Sequence, residues 1–386
     1  MAYRSQRAAP ERDSLLRAHP ERPTVRPLRV GVAPLITERN NYQGLLYDAV
    51  ERTGQAAIVP IARFTPGWAL RARKEVDVVH LHWLEYLLAG KEPPGLRDVA
   101  RRAAAALIVV LTIAVLKLTR VRVVWTAHNR RPHDSTVPRA HDLLYKVAAR
   151  LSDEVIVHST HAGKAVRGDL GRRGAVRVVP HGHYIGAYPD PQRSRTEVRK
   201  SYGIPEDAFV LLAFGQVRAY KRIEDLLREF PGIAGESIRL LVVGSPHDAE
   251  EVRRIEALAR RDPRVHLDLR FVPDSEVAEL HAAADLAVLN YREMFSSGAL
   301  LLALSLGVPV MVPERGGAGE IGGPPAVNTF ARSALKGALE DYRAMVDPGV
   351  ACDEALRAAS RASWENSADL HLEAFGAPPT RGREGT

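Results

Sequence analysis

Residues 209–230 read FVLLAFGQVRAYKRIEDLLREF: an apolar β-favouring run, a glycine, a loop carrying Arg218, Lys221 and Arg222, and then a helix. A strand that ends at Gly215 and passes through a short loop into a helix is the opening unit of a doubly wound α/β domain. Gly215 lets the chain turn tightly at the strand's end, and the cations behind it stand at the mouth where a diphosphate would lie. Taken alone, cations in a loop are as readily explained as solvated surface.

The same alternation extends in both directions. Downstream, IRLLVVG (238–244), VHLDLRFV (265–272), LAVLNY (286–291) and VPVMVP (308–313) read as strands separated by helical stretches. Upstream, LRVGVAP (28–34), AAIVPI (56–61), DVVHLHW (77–83), VRVVWTAH (121–128), EVIVHS (154–159) and VRVVPH (176–181) do the same. Short apolar runs alternating with helices are the pattern of parallel sheets covered on both faces. A stretch rich in Pro, Tyr, Gly and Arg, from His181 to about Arg195, reads as a hinge. The expected organisation is therefore a basic arm (1–27), a first Rossmann-like domain (28–185), a second (186–360), and a C-terminal helix and tail (361–386) packing back toward the first. Two such domains in tandem imply a ligand cleft between the carboxyl ends of their sheets.

The chain has 386 residues with 54 Lys and Arg against 46 Asp and Glu, a formal charge of +8 that favours anionic partners: nucleic acid, phosphate-bearing small molecules or an anionic membrane. The single cysteine, Cys352, leaves no intramolecular disulfide and no cysteine-based zinc site, and makes the cytoplasm the default compartment. Residues 1–27 carry six arginines and no apolar run of the signal-peptide kind, which reads as a disordered arm. No Walker A loop, HExxH or GxSxG elbow occurs, which argues against an NTPase, a zinc protease and a serine hydrolase.

The stretch YREMFSSGALLLALSLGVPVMVP (291–313) places Ser296, Ser297 and Gly298 at the start of an apolar helix. Unpaired N–H groups and two hydroxyls at a positively polarised helix end make an anion seat, although Ser in that position also serves as a plain N-cap. On DVVHLHW, His80 and His82 face one side by strand alternation, a spacing open to metal binding or to a structural role. The loop GAGEIG (317–322) matches GxGxxG, but Pro324 and Pro325 follow in place of the helix that a dinucleotide fingerprint needs.

A strand ending in Gly, Lys six residues later, and a loop-helix-GxPV unit about seventy residues on resemble the nucleotide-sugar half of GT-B glycosyltransferases, particularly the family 4 group. The resemblance covers nearly the whole chain and implies two Rossmann-like domains, a nucleotide-diphosphate sugar as donor, and no metal or other cofactor. Gly215 and Lys221 match the family's diphosphate grip; Gln216 stands where the family has Arg, and Arg218 would supply that charge. The family's Glu, seven residues, Glu signature falls on Met294 and Leu302, leaving Glu293, one place away, as the sugar or ribose ligand. The Ser-Ser-Gly cluster is similar to that of β-mannosyltransferases acting on lipid-linked chitobiose. The family's glycine-rich loop puts Glu320 beside the donor, and its Asn-Gly turn into the linker puts His181 and His183 near it from the hinge.

On the acceptor side, the resemblance puts His128 at a strand end facing the transferred sugar, as sugar ligand or base, since a neutral imidazole can fill either role. Asp134 and Glu85 are further candidate bases, and His82 and Asn129 are assigned to the acceptor. The run AAAALIVVLTIAVL (103–116), flanked by Arg101, Arg102, Lys117, Arg120 and Arg122, falls short of the roughly 20 residues that span a bilayer. It reads either as a buried helix or as an interfacial one whose flanking cations meet lipid phosphates. The second reading makes a polyprenyl-linked or other glycan the acceptor, sets the enzyme on the inner face of the plasma membrane, and points to exopolysaccharide or cell-envelope assembly. A nucleotide-sugar 2-epimerase of the same fold and a basic nucleic-acid-binding protein are the alternatives.

Overall fold

A computed structural model describes residues 26–36, 41–88, 96–130, 138–233, 235–246, 249–292, 294–295, 298–314, 316–331 and 334–378. Most of the basic arm, through residue 25, lies outside them. The first half of the chain runs β1 (Leu28–Ala33), α1 (Asn41–Arg52), β2 (Ala56–Pro60), α2 (Pro66–Ala69), β3 (Val78–Leu81), α3 (Leu96–Leu118), β4 (Arg122–Thr126), α4 (Pro138–Leu151), β5 (Glu154–Val157), α5 (Thr160–Asp169) and β6 (Ala175–Val178). The second half runs α6 (Arg195–Ser201), β7 (Phe209–Phe214), α7 (Ile223–Glu229), β8 (Ile238–Val243), α8 (Ala249–Ala259), β9 (Val265–Asp268), α9 (Asp274–Ala282), β10 (Leu286–Val288), α10 (Gly298–Ser305), β11 (Val310–Pro313), β12 (Val327–Phe330), α11 (Leu335–Met345), α12 (Pro348–Ser360) and α13 (Trp364–Phe375).

The strands form two six-stranded parallel sheets, ordered β2-β1-β3-β4-β5-β6 and β12-β11-β10-β7-β8-β9. Alternate residues of one strand feed opposite layers: Val210 and Leu212 of β7 enter one core, while Leu211 and Ala213 enter another. Likewise Val123 and Trp125 of β4 pack on one side of the first sheet and Val124 on the other. Apolar character at every position follows from burial on both faces. Strand order reverses between β1 and β3 in the first sheet and between β7 and β10 in the second, and at such points the loops diverge and leave a crevice at the carboxyl ends. The sequence pattern missed β12, whose VNTF is short and polar; Asn328 there donates to the carbonyls of Val310 and Pro325 and holds the edge strand in place.

The last helix belongs spatially to the first domain. Trp364, Ala368, Leu372 and Phe375 of α13 share a core with Tyr42, Leu46 and Val50 of α1 and with Val124 and Ile156 of the first sheet. Its C-terminal end is pinned where Arg122 Nε donates to the Ala374 carbonyl (2.7 Å) and Arg177 pairs with Glu373 (2.6 Å). At its start the indole of Trp364 lies over Gly182, where an added Cβ would come within 2.2 Å of the ring, and Nε1–H donates to the His183 carbonyl at 2.6 Å.

Helix α3 has apolar residues on both its inner and its outer face. Ala106, Val109, Ile113 and Leu116, spaced to share one face, are buried in the first domain's core. Leu107 (58% exposed), Ile108 (43%) and Leu111 (46%) lie outward, and Leu143 of the adjoining α4 is exposed as well. Three flanking cations expected to meet lipid are engaged inside the domain instead: Arg102 is buried, Lys117 pairs with Asp153 and Arg122 with Glu154. Asp153 and Glu154, at the start of β5, hold Lys117 and Arg122, while Arg101 and Arg120 remain at the surface.

Because the buried Trp364 indole fills the space above Gly182 and donates to the His183 carbonyl, Trp364→Ala is expected to cost about 3–5 kcal/mol. Thermal unfolding followed by near-UV circular dichroism checks this; an unchanged midpoint would mean the indole is dispensable.

Candidate active site

The two segments that define the donor side meet across the reversal point of the second sheet. Gly215 follows β7 with φ +100°, and Gly244, after β8, approaches so closely that a Cβ on it would lie 2.0 Å from the Gly215 oxygen. The loop then closes with Arg222 in a left-handed conformation, φ 53°, its guanidinium held by Asp225 at 2.5 Å. After β10 the backbone N–H of Arg292 donates to the Tyr220 carbonyl (2.8 Å), and Asn290 Nδ2 donates to the Arg222 carbonyl (3.3 Å). The basic loop and the segment leading to α10 are thereby one unit.

Lys221 is buried in that unit. Its Nζ donates to the Phe214 carbonyl at 3.3 Å, lies 5.4 Å from the Tyr291 ring centre, and would contact any Cβ on Gly215. Among the described residues no carboxylate pairs with it. Burial, and then the nearby charge of Arg218, lower its pKa to about 8. A cation held out of water without a counterion is set for an anionic ligand. Helix α10 begins at Gly298, where an added Cβ would come 3.2 Å from the Tyr184 hydroxyl and 3.7 Å from His181 Nε2, so His181 of the hinge lies beside the start of α10. Glu293, Ser296 and Ser297 lie outside the described residues, as does Asp134. Met294 and Leu302, at the family's two acidic positions, are buried apolar side chains.

Four adjacent strands of the first sheet end in histidines: His82 after β3, His128 after β4, His158 after β5 and His181 after β6. The ring of His128 stacks on Trp83 (4.2 Å between centres, 16° between planes) and takes the edge of Tyr42 at 5.0 Å. Behind it, His82 Nδ1 bonds His128 Nε2 at 2.9 Å. His82 is fully buried, so its assignment to the acceptor is corrected: strand alternation turns it with His80 under α1, where Tyr47 covers both. Asn129 does not stand alone either; its side chain bonds Glu85, which also accepts from the Tyr145 hydroxyl at 2.6 Å. Burial outweighs these bonds and raises the Glu85 pKa, a change that suits a proton acceptor.

Two further assignments change. Glu320 takes the N-terminus of α5, accepting from the N–H groups of Thr160 (2.6 Å) and His161 (2.9 Å), so its carboxylate bridges the domains. Burial acts to raise its pKa, but those two N–H bonds bring it below the ordinary value, as expected at a positive helix end. His183 belongs to the hinge: its N–H donates to Ala362, its carbonyl accepts from Trp364, and its Nδ1 accepts from Ile185. Phe295 inserts into the first domain's core beside Ser159, whose hydroxyl donates to its carbonyl. Between the domains lies a cavity of about 680 Å³, with Arg130, His161 and Lys164 on one wall and Arg292, Phe295 and Glu314 on the other. Sequence reading passed over His158, Trp83, Tyr47 and Arg292. The repeated strand-then-His pattern was the available signal for His158; the others are contacts between distant segments.

No group of three or more metal-ligating side chains comes together among the described residues. His80 and His82 are bonded to Tyr47, not turned to a common ligand.

Residues 208–334 match the family of group 1 glycosyl transferases. The chain is 30% identical over 369 residues to the GDP-mannose:glycolipid 4-beta-D-mannosyltransferase of Xanthomonas campestris pv. campestris, covering 90% of this chain and 95% of that one. It is 28% identical over 325 residues to a D-inositol 3-phosphate glycosyltransferase of Geodermatophilus obscurus, covering 78% and 66%. Among solved structures it is similar to sucrose-phosphate synthase from Thermosynechococcus elongatus (TM-score 0.66, 17% identity, 90% and 99% covered) and to Anabaena HepE in complex with UDP and glucose (0.61, 16%, 90% and 99%). Both structural likenesses speak for the fold.

The buried histidines predict acid sensitivity. Burial holds His158 to about 4 and His181 and His371 to about 3, from an ordinary 6.5, so the unfolded chain takes up protons below 6.5 that the folded one refuses. Each pH unit below that value then costs about 1.4 kcal/mol for every histidine that stays neutral. Calorimetric melting temperatures are expected to drop steadily from pH 6.5 to 5, above the range of ordinary carboxylates; a flat profile would contradict it.

Proposed function

Because the chain belongs to the group 1 glycosyltransferases, as its identity to the Xanthomonas mannosyltransferase over nearly that protein's whole length establishes, we propose that it elongates a lipid-linked glycan at the cytoplasmic face of a membrane. Family membership carries the coarser statement: the protein is a GT-B glycosyltransferase that takes a nucleotide sugar as donor. This membership displaces the epimerase and nucleic-acid readings of the sequence. The finer reading is transfer of mannose from GDP-mannose to a polyprenyl-diphosphate-linked or similar glycolipid, in exopolysaccharide or cell-envelope assembly. The observation that supports it is the outward apolar face of α3, with Leu107, Ile108 and Leu111 beside the exposed Arg101 and Arg120. Such a face lies at the headgroup boundary, where a lipid-linked acceptor presents its sugar.

In this reading the leaving diphosphate is met by Lys221, Arg218 and the start of α10. These groups are fixed before reaction and stabilise charge as it develops, without a metal. His128 takes the acceptor's proton as the new bond forms to the sugar's anomeric carbon and the bond to the diphosphate breaks, giving inversion. Glu85 and Asn129, bonded to each other beside it, orient the acceptor. Closure of the donor loop against the first domain through Phe295 and Glu320 keeps water from the sugar.

Donor binding stabilises the folded state by mass action, by about 2.7 kcal/mol at a hundredfold excess over Kd. GDP-mannose is expected to raise the melting temperature more than UDP-glucose does, and Lys221→Ala to abolish the rise. A full response in that variant, or product formation from UDP-glucose alone in a radiolabelled transfer assay, would refute the respective assignments. The membrane contact is read separately: the protein should float with vesicles containing anionic phospholipid, and a Leu107→Glu, Leu111→Glu double variant should stay in solution. Equal flotation of both would remove α3 from the reading.

A further inference from the structure

The hinge turns two buried polar side chains toward the start of α10: His181 and Tyr184, 8% and 7% exposed, with ring centres 5.7 Å apart. Each is held by a segment distant in the chain. The Tyr42 ring packs on His181 at 4.7 Å, and the Tyr184 N–H donates to Ser305 Oγ, in the last turn of α10, at 2.8 Å. From that anchor the tyrosine side chain reaches the first turn of the same helix. Its hydroxyl stands 3.2 Å from where a Cβ on Gly298 would be, and His181 Nε2 stands 3.7 Å from the same point. Neither atom has a hydrogen-bond partner among the described residues. Glycine at 298 keeps the place open, since any side chain there would press on the tyrosine hydroxyl.

The two groups offer different chemistry. His181 Nδ1 lies 2.8 Å from the Gly182 carbonyl, and a carbonyl oxygen only accepts, so Nδ1 carries the proton. Burial, and then the neighbouring His158, hold the ring neutral with a pKa of about 3. Nε2 is therefore an acceptor: it takes an O–H and has nothing to give the oxygens of a phosphate. Burial raises the Tyr184 pKa, so that hydroxyl keeps its proton and donates to an anion. The rings around the pair belong to Tyr42, His158, Tyr188 and Trp364, none of them a cation or a carboxylate. Beside them the first N–H groups of α10 have no partner within the helix and lie at its positive end. An anion seat with a hydroxyl acceptor next to it matches a phosphate joined to a sugar. His181 also borders a cavity of about 460 Å³ whose other walls include Phe295, Leu301 and Gly317, a size suited to a small ligand.

We infer that His181 and Tyr184 form a subsite that reads the donor sugar: His181 Nε2 accepts from the hydroxyl on C2 of the transferred hexose, and Tyr184 donates to the phosphate on C1. This rests on the reading of the start of α10 as the seat of the donor diphosphate. The nearness of both groups to one point selects C2. With the phosphate against Tyr184 and the helix end, the hydroxyl on the neighbouring carbon is the one His181 reaches, and the remaining hydroxyls extend into the cavity. His181 thereby determines specificity, because the C2 epimer presents its hydroxyl in another direction. The subsite is fixed before the donor arrives: the carbonyl that orients His181 belongs to Gly182, the residue pinned under Trp364.

The test is calorimetric titration of the full chain with GDP, GDP-mannose and the 2-deoxy and 4-deoxy analogues of GDP-mannose. Wild type should bind the 2-deoxy analogue about 3- to 10-fold more weakly than GDP-mannose, the worth of one neutral hydrogen bond. His181→Phe keeps a ring against Tyr42 but has no acceptor. It should bind GDP-mannose and the 2-deoxy analogue equally, with its affinity for GDP and its response to the 4-deoxy analogue as in the wild type. Tyr184→Phe should weaken GDP and GDP-mannose alike, by about 10- to 100-fold for a bond to a charged group, and keep the 2-deoxy penalty. A readout without any variant is ¹⁵N NMR of the histidine rings: the His181 Nε2 signal should move with GDP-mannose and stay with the 2-deoxy analogue. Equal binding of those two ligands by wild type, a full 2-deoxy penalty in His181→Phe, or wild-type affinity for GDP in Tyr184→Phe overturns the inference. Lys221→Ala separates it from the underlying reading. Undiminished GDP binding in that variant removes the diphosphate seat and the subsite with it, whereas lost GDP binding there, beside any of the failures above, removes the subsite alone.

Discussion

The seat of Trp364 on Gly182 is the constraint from which the rest follows. Two doubly wound domains joined by one linker could face each other in many ways. Here the chain crosses twice, and the second crossing is locked where the indole occupies the space that any side chain at residue 182 would need and donates to the next carbonyl. The returning helix then completes a layer of the first domain with Leu372 and Phe375. With both crossings tied at one point, the carboxyl ends of the two sheets are left facing a common crevice.

Each domain brings a different kind of polarity to that crevice. The second contributes a cation kept from water, since Lys221 is enclosed by Gly215, Tyr291 and the Phe214 carbonyl. Its lowered pKa records the cost of burial, a cost that an anionic ligand removes. The first domain contributes histidines whose burial keeps them uncharged, so they act as directed donors and acceptors and add no positive charge. The crevice thereby has one cationic wall and one uncharged, hydrogen-bonding wall. Glu320 holds the walls together through the start of α5, and Phe295 wedges in beside it.

Legibility varied with how local the cause was. Gly215 and Lys221 could be read because a strand, a turn and a basic loop are neighbours in sequence, and the fold brings them to the reversal point of the sheet. The role of His82 was misread because alternation tells which side a residue faces but not what covers that side; Tyr47 covers it, from another helix. The bridging partner of Glu320 was not legible for a similar reason, being the N-terminus of a helix 160 residues earlier in the chain. The apolar run was open to two readings because α3 has both a buried and an exposed apolar face, with Ile113 turned in and Leu107 turned out.

The sequence by itself determined the two parallel sheets, nearly all their strands and the basic loop of the donor side, because these depend on runs of a few residues whose burial and turn chemistry are local. Only the tertiary structure decided which histidines face the crevice, where Glu320 is spent, and how α13 closes the first domain. Those outcomes rest on close packing between segments far apart in the chain, where a hydroxyl such as that of Tyr47 gains its role only from the two rings the fold sets within 3 Å of it.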